Sequence, residues 1–137
     1  MPTINRQLDS LQPKFKPIIL EVLTRLEALG YQPIVAEGLR TKEQQEEKVR
    51  LGYSTTMNSY HLTGMAADVV DRRYLWNIPL SHPYWKAQGD IVLELAKTNP
   101  GLYWGGVWKV NNMQRFIDYL KGTTKYFVDV AHIELRV

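Results

Sequence analysis

Two short segments, far apart in the chain, carry residues that only a particular fold can bring together. Ser59-Tyr60-His61-Leu62-Thr63-Gly64-Met65-Ala66-Ala67-Asp68 sets a histidine and an aspartate seven residues apart. Asp129-Val130-Ala131-His132-Ile133-Glu134 sets a second histidine between two carboxylates. His61, Asp68 and His132 are a donor set for one zinc ion per chain. Two histidines and a single carboxylate leave a fourth position open, which a catalytic zinc needs and a structural zinc does not.

The local patterns say how such a site is built. The run Ala66 to Val70 is small and β-branched, so a loop His61 is expected to lead into a strand carrying Asp68. In Ala131-His132-Ile133-Glu134-Leu135 the alternation places His132 and Glu134 on one face of a strand, with Ile133 and Leu135 on the other. If the two strands are neighbours, Asp68 and His132 converge from the same face. Gly64 then lets the backbone bend enough to return His61 to them. Taken singly, each residue has a plainer reading: a surface histidine, or a turn aspartate at Asp129. Two histidines, each with an acidic partner at a fixed offset, outweigh those readings. His82, in Ser81-His82-Pro83, lacks such a partner and is expected at a helix entry or on the surface.

Around these segments the chain reads as a mixture of helices and strands. Ile18, Ile19, Val22, Leu23, Leu26 and Leu29 recur at helical spacing between Pro17 and Gly30. Tyr31 to Glu37 reads as a strand, and Thr41-Lys42-Glu43-Gln44 as a capping box opening a polar helix to about Leu51. Further helices are expected from Pro83 to about Lys97, and after Asn111 or Asn112 with Met113, Phe116, Ile117 and Leu120 inward. Leu102 to Trp104 is a short strand, and Lys125 to Arg136 the last strand region. No β-α-β alternation and no internal repeat appears. The expectation is therefore an α+β domain, residues 1–137, with a small, largely antiparallel sheet, flanking helices and a single zinc site on the sheet.

The two metal-type segments resemble the signatures of the D,D-carboxypeptidase and L-alanyl-D-glutamate endopeptidase family of zinc peptidases, which cut peptidoglycan stem peptides. Every fixed position of Ser-x-His-x-x-Gly-x-Ala-x-Asp is met by Ser59, His61, Gly64, Ala66 and Asp68. Asp129, His132 and Glu134 meet the second motif. The resemblance runs from about Arg40 to Glu134 and implies catalytic roles for Asp129 and Arg40. Asp129 is the general base toward a zinc-activated water, and Arg40, in Gly38-Leu39-Arg40-Thr41, binds the scissile carbonyl oxygen. Ser59 and Glu134 are candidates for orienting the ligands. Trp104-Gly105-Gly106-Val107-Trp108 resembles the family's Trp-Gly-Gly-Asp-Trp, with Val107 in place of the Asp. That departure removes a possible polar contact and leaves the detailed substrate pose open, with Trp104 assigned to packing first and to the cleft second.

Within the family, an aspartate base and a compact domain are most like phage L-alanyl-D-glutamate endopeptidases of the endolysin kind. The alternative is a D-alanyl-D-alanine carboxypeptidase or dipeptidase. A zinc-containing binding module without turnover is a third reading, against which Asp129 and Arg40 argue. The N-terminus shows no secretory signal and no membrane span, so synthesis in the cytoplasm and lysis-linked access to the cell wall are expected. A net charge of +3 and a pI near 9.1 suit an anionic envelope. The basic residues are scattered and match no nucleic-acid motif. The expected partner is a peptidoglycan stem peptide met by a monomer. The chain has no cysteines, so no disulfide constrains it.

Overall fold

The computed structural model describes residues 7–54 and 56–136. Its elements in chain order are α1 (Lys16–Ala28), β1 (Pro33–Glu37), α2 (Lys42–Arg50), a 3₁₀ turn (Tyr60–Thr63), β2 (Ala66–Asp71), α3 (Pro83–Ala96), β3 (Leu102–Trp104), α4 (Met113–Leu120) and β4 (His132–Leu135). The four strands form one sheet in the order β1-β2-β4-β3, and every pairing is antiparallel. The architecture is α+β, as the mixture of periodicities implies.

Helix α1 buries Ile19, Val22 and Leu26, while Leu29 lies beyond its end and is exposed. It packs on β1 and on α3, and α3 packs in turn on β3. Val69, Ala67, Ile133 and Leu135 of the central strands join this helical layer in one apolar core. Strand β2 is buried along its whole length, which suits the apolar run Ala66 to Val70. The two helices thus occupy the side of the sheet to which Ile133 and Leu135 point. The alternating residues Asp68, His132 and Glu134 are left for the other side.

Several local signals work as the residues dictate. Thr41 and Gln44 form a complete capping box on α2. His82 caps α3: its Nδ1 accepts the Tyr84 N–H at 3.0 Å. Asn112 caps α4 by accepting the Gln114 N–H at 2.9 Å. Other expectations are corrected. The first strand begins at Pro33 rather than Tyr31, and of the four apolar residues expected inward on α4 only Phe116 is buried. The last strand is limited to His132–Leu135, because the chain from 125 to 131 turns around Gly105 instead of pairing along a neighbour.

Candidate metal centre

Strand pairing builds the centre. In the β2–β4 ladder Asp68 stands opposite His132, and in the β1–β2 ladder Glu37 stands opposite Asp68 after an irregularity between Val35 and Glu37. His61 arrives differently from the expected loop. It sits in the 3₁₀ turn that Ser59 caps by accepting the His61 backbone N–H at 3.1 Å. Gly64 ends this turn at φ +74, a left-handed conformation that glycine adopts without steric cost, and the chain then enters β2. Ser59 therefore positions the His61 backbone rather than its ring.

The two histidines present different nitrogens to the centre. The Gly38 carbonyl, 2.8 Å from His61 Nδ1, can only accept, so Nδ1 carries the proton and Nε2 is left as a lone pair. Glu134 Oε1 lies 2.8 Å from His132 Nε2 and takes that N–H, leaving Nδ1 directed inward. Each ring is thus oriented through its outer nitrogen, the arrangement that metal-binding histidines use. Asp68 Oδ1 is 3.3 Å from His61 Nε2 and 3.5 Å from His132 Nδ1. One ligand atom from each of the three buried residues lies within 4.8 Å of the others.

The residues present fit an ion. His61 Nε2 and Asp68 Oδ1 are the buried side-chain polar atoms that find no hydrogen-bond partner among the described residues. Buried polar atoms are otherwise nearly always satisfied, so a shared cation between them accounts for both. Burial works to raise the Asp68 carboxyl, but the neighbouring His61 and His132 overcome it and hold the group well below the usual carboxylate range. Burial works to lower His132, and its bonds to Asp68 and Glu134 more than reverse this, lifting it to about 10. An anion between two histidines attracts positive charge, whether protons or a metal ion.

Asp129 and Arg40 flank the three residues. Asp129 Oδ2 is 4.0 Å from His132 Nδ1, at the open edge of the centre. Burial, and then the charge of Asp68, push its carboxyl up to about 6. Its turn is fixed from behind: Asp129 N–H donates to Gly105 O at 3.0 Å and Gly105 N–H to His132 O at 2.8 Å. A Cβ on Gly105 would lie 2.1 Å from the Asp129 carbonyl oxygen, so only glycine permits this approach. Trp104 Nε1–H donates to Val130 O at 2.7 Å, and the buried amide of Gln88 reaches Val130 O and Ala131 O. Trp104 is fully buried and belongs to the packing, not to the cleft. Val107 is fully buried too, so the position that departs from the family pattern faces the core and does not touch the substrate space.

Arg40 is buried, not a solvated surface residue. Its Nε–H donates to Glu37 Oε1 at 2.7 Å, one terminal nitrogen donates to Gln45 Oε1, and the other stands 3.9 Å from Asp68 Oδ2. Glu37 and Gln45 were not expected from the sequence. Gln45 is the only buried residue of α2, and its amide N–H groups donate to Ser54 Oγ and Thr56 O. The signal for it was a polar side chain five residues after Arg40, indistinguishable by type from the exposed Gln44 beside it. All of these groups open onto a cleft of about 810 Å³, whose rim also carries Tyr53, Trp76, Trp108 and Phe127.

An open antiparallel sheet with α1 and α3 on one face, and on the other a buried His-Asp-His cluster at the floor of an open cleft, defines an α+β domain with a candidate metal centre. The sequence model of the phage L-alanyl-D-glutamate peptidase family matches residues 3–136, and the chain belongs to that family. It is 34% identical to the L-alanyl-D-glutamate peptidase of Listeria phage A118 over 104 residues, 74% of this chain and 35% of that protein. The chain thus spans about a third of the length of this curated relative. In structure it is similar to the L-Ala D-Glu endopeptidase ChiX of Serratia marcescens, with a TM-score of 0.65 and 26% identity, covering 97% of this chain and 86% of the other. The LdcB LD-carboxypeptidase shares the fold, with a TM-score of 0.52 at 17% identity over 91% of this chain and 58% of its own. No helix among the described residues is long and apolar enough to cross a membrane.

Proposed function

We propose that the chain hydrolyses the L-alanyl-D-glutamate bond of peptidoglycan stem peptides, with one zinc ion held by His61, Asp68 and His132. The observation that carries this reading is the pair of orphaned buried atoms, His61 Nε2 and Asp68 Oδ1, facing one another at the base of an open cleft in a member of this peptidase family. When bound, zinc supplies Lewis-acid activation, bringing the pKa of water toward roughly 7 and polarising the scissile carbonyl.

The chain's own residues do the rest. Asp129, on a turn held rigid by Gly105, takes the proton of the attacking water and returns it to the leaving amine nitrogen. Arg40 is tethered through two of its nitrogens, so its remaining NH₂ is presented where the carbonyl oxygen gains charge. Glu134 keeps His132 in one tautomer, and Gly38 does the same for His61. We read the chain as a peptidase domain acting on the cell wall.

Digestion of purified peptidoglycan with the zinc-loaded protein, followed by mass analysis, tests this. The expected products are stem peptides lacking L-Ala, with a new N-terminal D-Glu, while L-Ala stays on the glycan. Release of free D-Ala alone would replace the proposal with a carboxypeptidase.

A further inference from the structure

We propose that Trp108 and Phe127 form a stacking platform for the amino-sugar ring that precedes the scissile bond, so that the substrate is the glycan-linked stem peptide rather than free peptide. This rests on the L-alanyl-D-glutamate reading above. The platform is built before any substrate arrives. The two rings lie 6.3 Å apart with an interplanar angle of 21°, and Trp108 Nε1–H donates to the Phe127 carbonyl at 2.8 Å. Trp108 has φ +55, an unusual conformation for a bulky residue, and its N–H is held by Trp104 O at 2.6 Å. Its ring sits 5.4 Å from that of His132, so the platform starts at the metal centre. Phe127 is 56% exposed although it lines the cleft, which leaves a flat apolar face in water.

The two sides of the cleft differ in chemistry. Asp68 and His132 belong to the middle strands of the order β1-β2-β4-β3. Trp108 follows β3 on one side, whereas Arg40 follows β1 and Lys48 lies on α2, on the other. Both Lys48 and Arg40 line the cleft, Lys48 with its Nζ 3.7 Å from Glu37 Oε2 and 5.5 Å from the Tyr53 ring centroid, and Arg136 after β4 adds a third cation. Trp108 and Phe127 therefore approach the metal centre from the β3 side, and Arg40 and Lys48 from the β1 side.

Peptidoglycan has the matching polarity around this one bond. The nitrogen of L-Ala is joined to the lactyl group of an N-acetylmuramic acid ring, and D-Glu continues through its γ-carboxyl, leaving its α-carboxylate free. A bond held over the His-Asp-His cluster thus has a sugar within about one residue length, roughly 3.5 Å plus the lactyl group, on its amino side. On its carboxyl side it has an anion. The C–H face of the sugar suits the exposed aromatic rings, and the carboxylate suits Lys48. The D-Ala terminus of a stem peptide, by contrast, lies several residues from any sugar and would leave the aromatic rings unused.

The test compares a disaccharide-linked stem peptide with the same peptide carrying only a lactyl cap, together with a titration of the free disaccharide followed at the Trp108 indole N–H by NMR. The zinc-loaded protein is expected to show kcat/KM about tenfold higher on the sugar-bearing substrate. Phe127→Ala should abolish that preference and the indole shift, and Phe127→Tyr should keep both. A Phe127→Ala variant that loses the same factor on both substrates assigns Phe127 a structural role and overturns the proposal. Equal wild-type rates on both substrates overturn the platform and leave the endopeptidase reading standing. A disaccharide-dependent indole shift in a protein that cuts neither substrate supports the platform and overturns that reading.

Discussion

Asp68 and His132 are partners across the β2–β4 ladder, and this pairing brings Asp68 Oδ1 to 3.5 Å from His132 Nδ1. Directly opposed residues of antiparallel strands project to the same face of a sheet, so the register alone sets their side chains together. A slip of one residue would send His132 and Glu134 to the apolar core side and dissolve the centre. Ile133 and Leu135 prevent that slip, since the same movement would expose them.

Metal analysis of single variants checks the donor set. Wild type is expected to bind one zinc per chain, and His61→Ala, Asp68→Ala and His132→Ala each to lose it. His82→Ala should bind zinc normally and lose about 1 kcal/mol of stability, the cost of a missing helix cap. Zinc content like wild type in His132→Ala would remove that residue from the site.

Asp129→Ala and Arg40→Ala should fold and hold zinc while losing turnover. For Arg40→Ala the expected loss in kcat is roughly a hundredfold or more, the scale of removing one oxyanion donor. Gln45→Leu should reproduce part of the Arg40 defect, because its carbonyl oxygen is one of the two acceptors that aim the guanidinium. Measuring kcat beside zinc content separates these effects, and an unchanged kcat in any variant dismisses its residue from the mechanism.

Asp71, on the core side of β2, gives a pH signature independent of the metal. Hydrogen bonds from Arg73 hold its carboxyl at about 2, against burial, which acts to raise it, and the Gln32 backbone N–H donates to it as well. A folded-state pKa below the unfolded value of about 4 means stability that is complete above pH 4 and lost as pH falls toward 2. The contribution is on the order of 1 kcal/mol, since Arg73 is partly in water and screened. Urea midpoints of Asp71→Asn should lie below wild type at pH 7 and converge with it near pH 2. A constant gap across that range would contradict the assignment.

Gly89 lies inside α3, where alanine would ordinarily favour the helix by about 1 kcal/mol. Here a Cβ would stand 2.4 Å from the ring of Trp104, which is itself fully buried and bonded to Val130 O. Gly89→Ala is therefore expected to destabilise by about 1–3 kcal/mol, as overpacking does. Because Trp104 holds the turn behind Asp129, turnover should fall with it. A thermal midpoint at or above wild type would show that the ring can move aside.

The sequence by itself determined which side chains could serve as metal donors, and much of the local geometry. His61, Asp68 and His132 were legible because metal ligation restricts residue type and offset. The faces of β4 followed from strict alternation, the cap of α2 from Thr41 and Gln44, and the helix entry at His82 from the proline after it. Each of these depends on neighbours within a few residues. What only the tertiary structure decided depends on contacts between distant segments. The 3₁₀ turn under His61, the burial of Arg40 between Glu37 and Gln45, the inward direction of Val107 and the early end of the last strand are all of this kind. Gln45 and Gln44 are the same residue type on one helix, and bonds to Ser54 and Thr56 make one a buried clamp on Arg40 while the other caps the helix. Residue type sets which bonds a side chain can make; the surrounding fold sets whether water or another segment is there to make them.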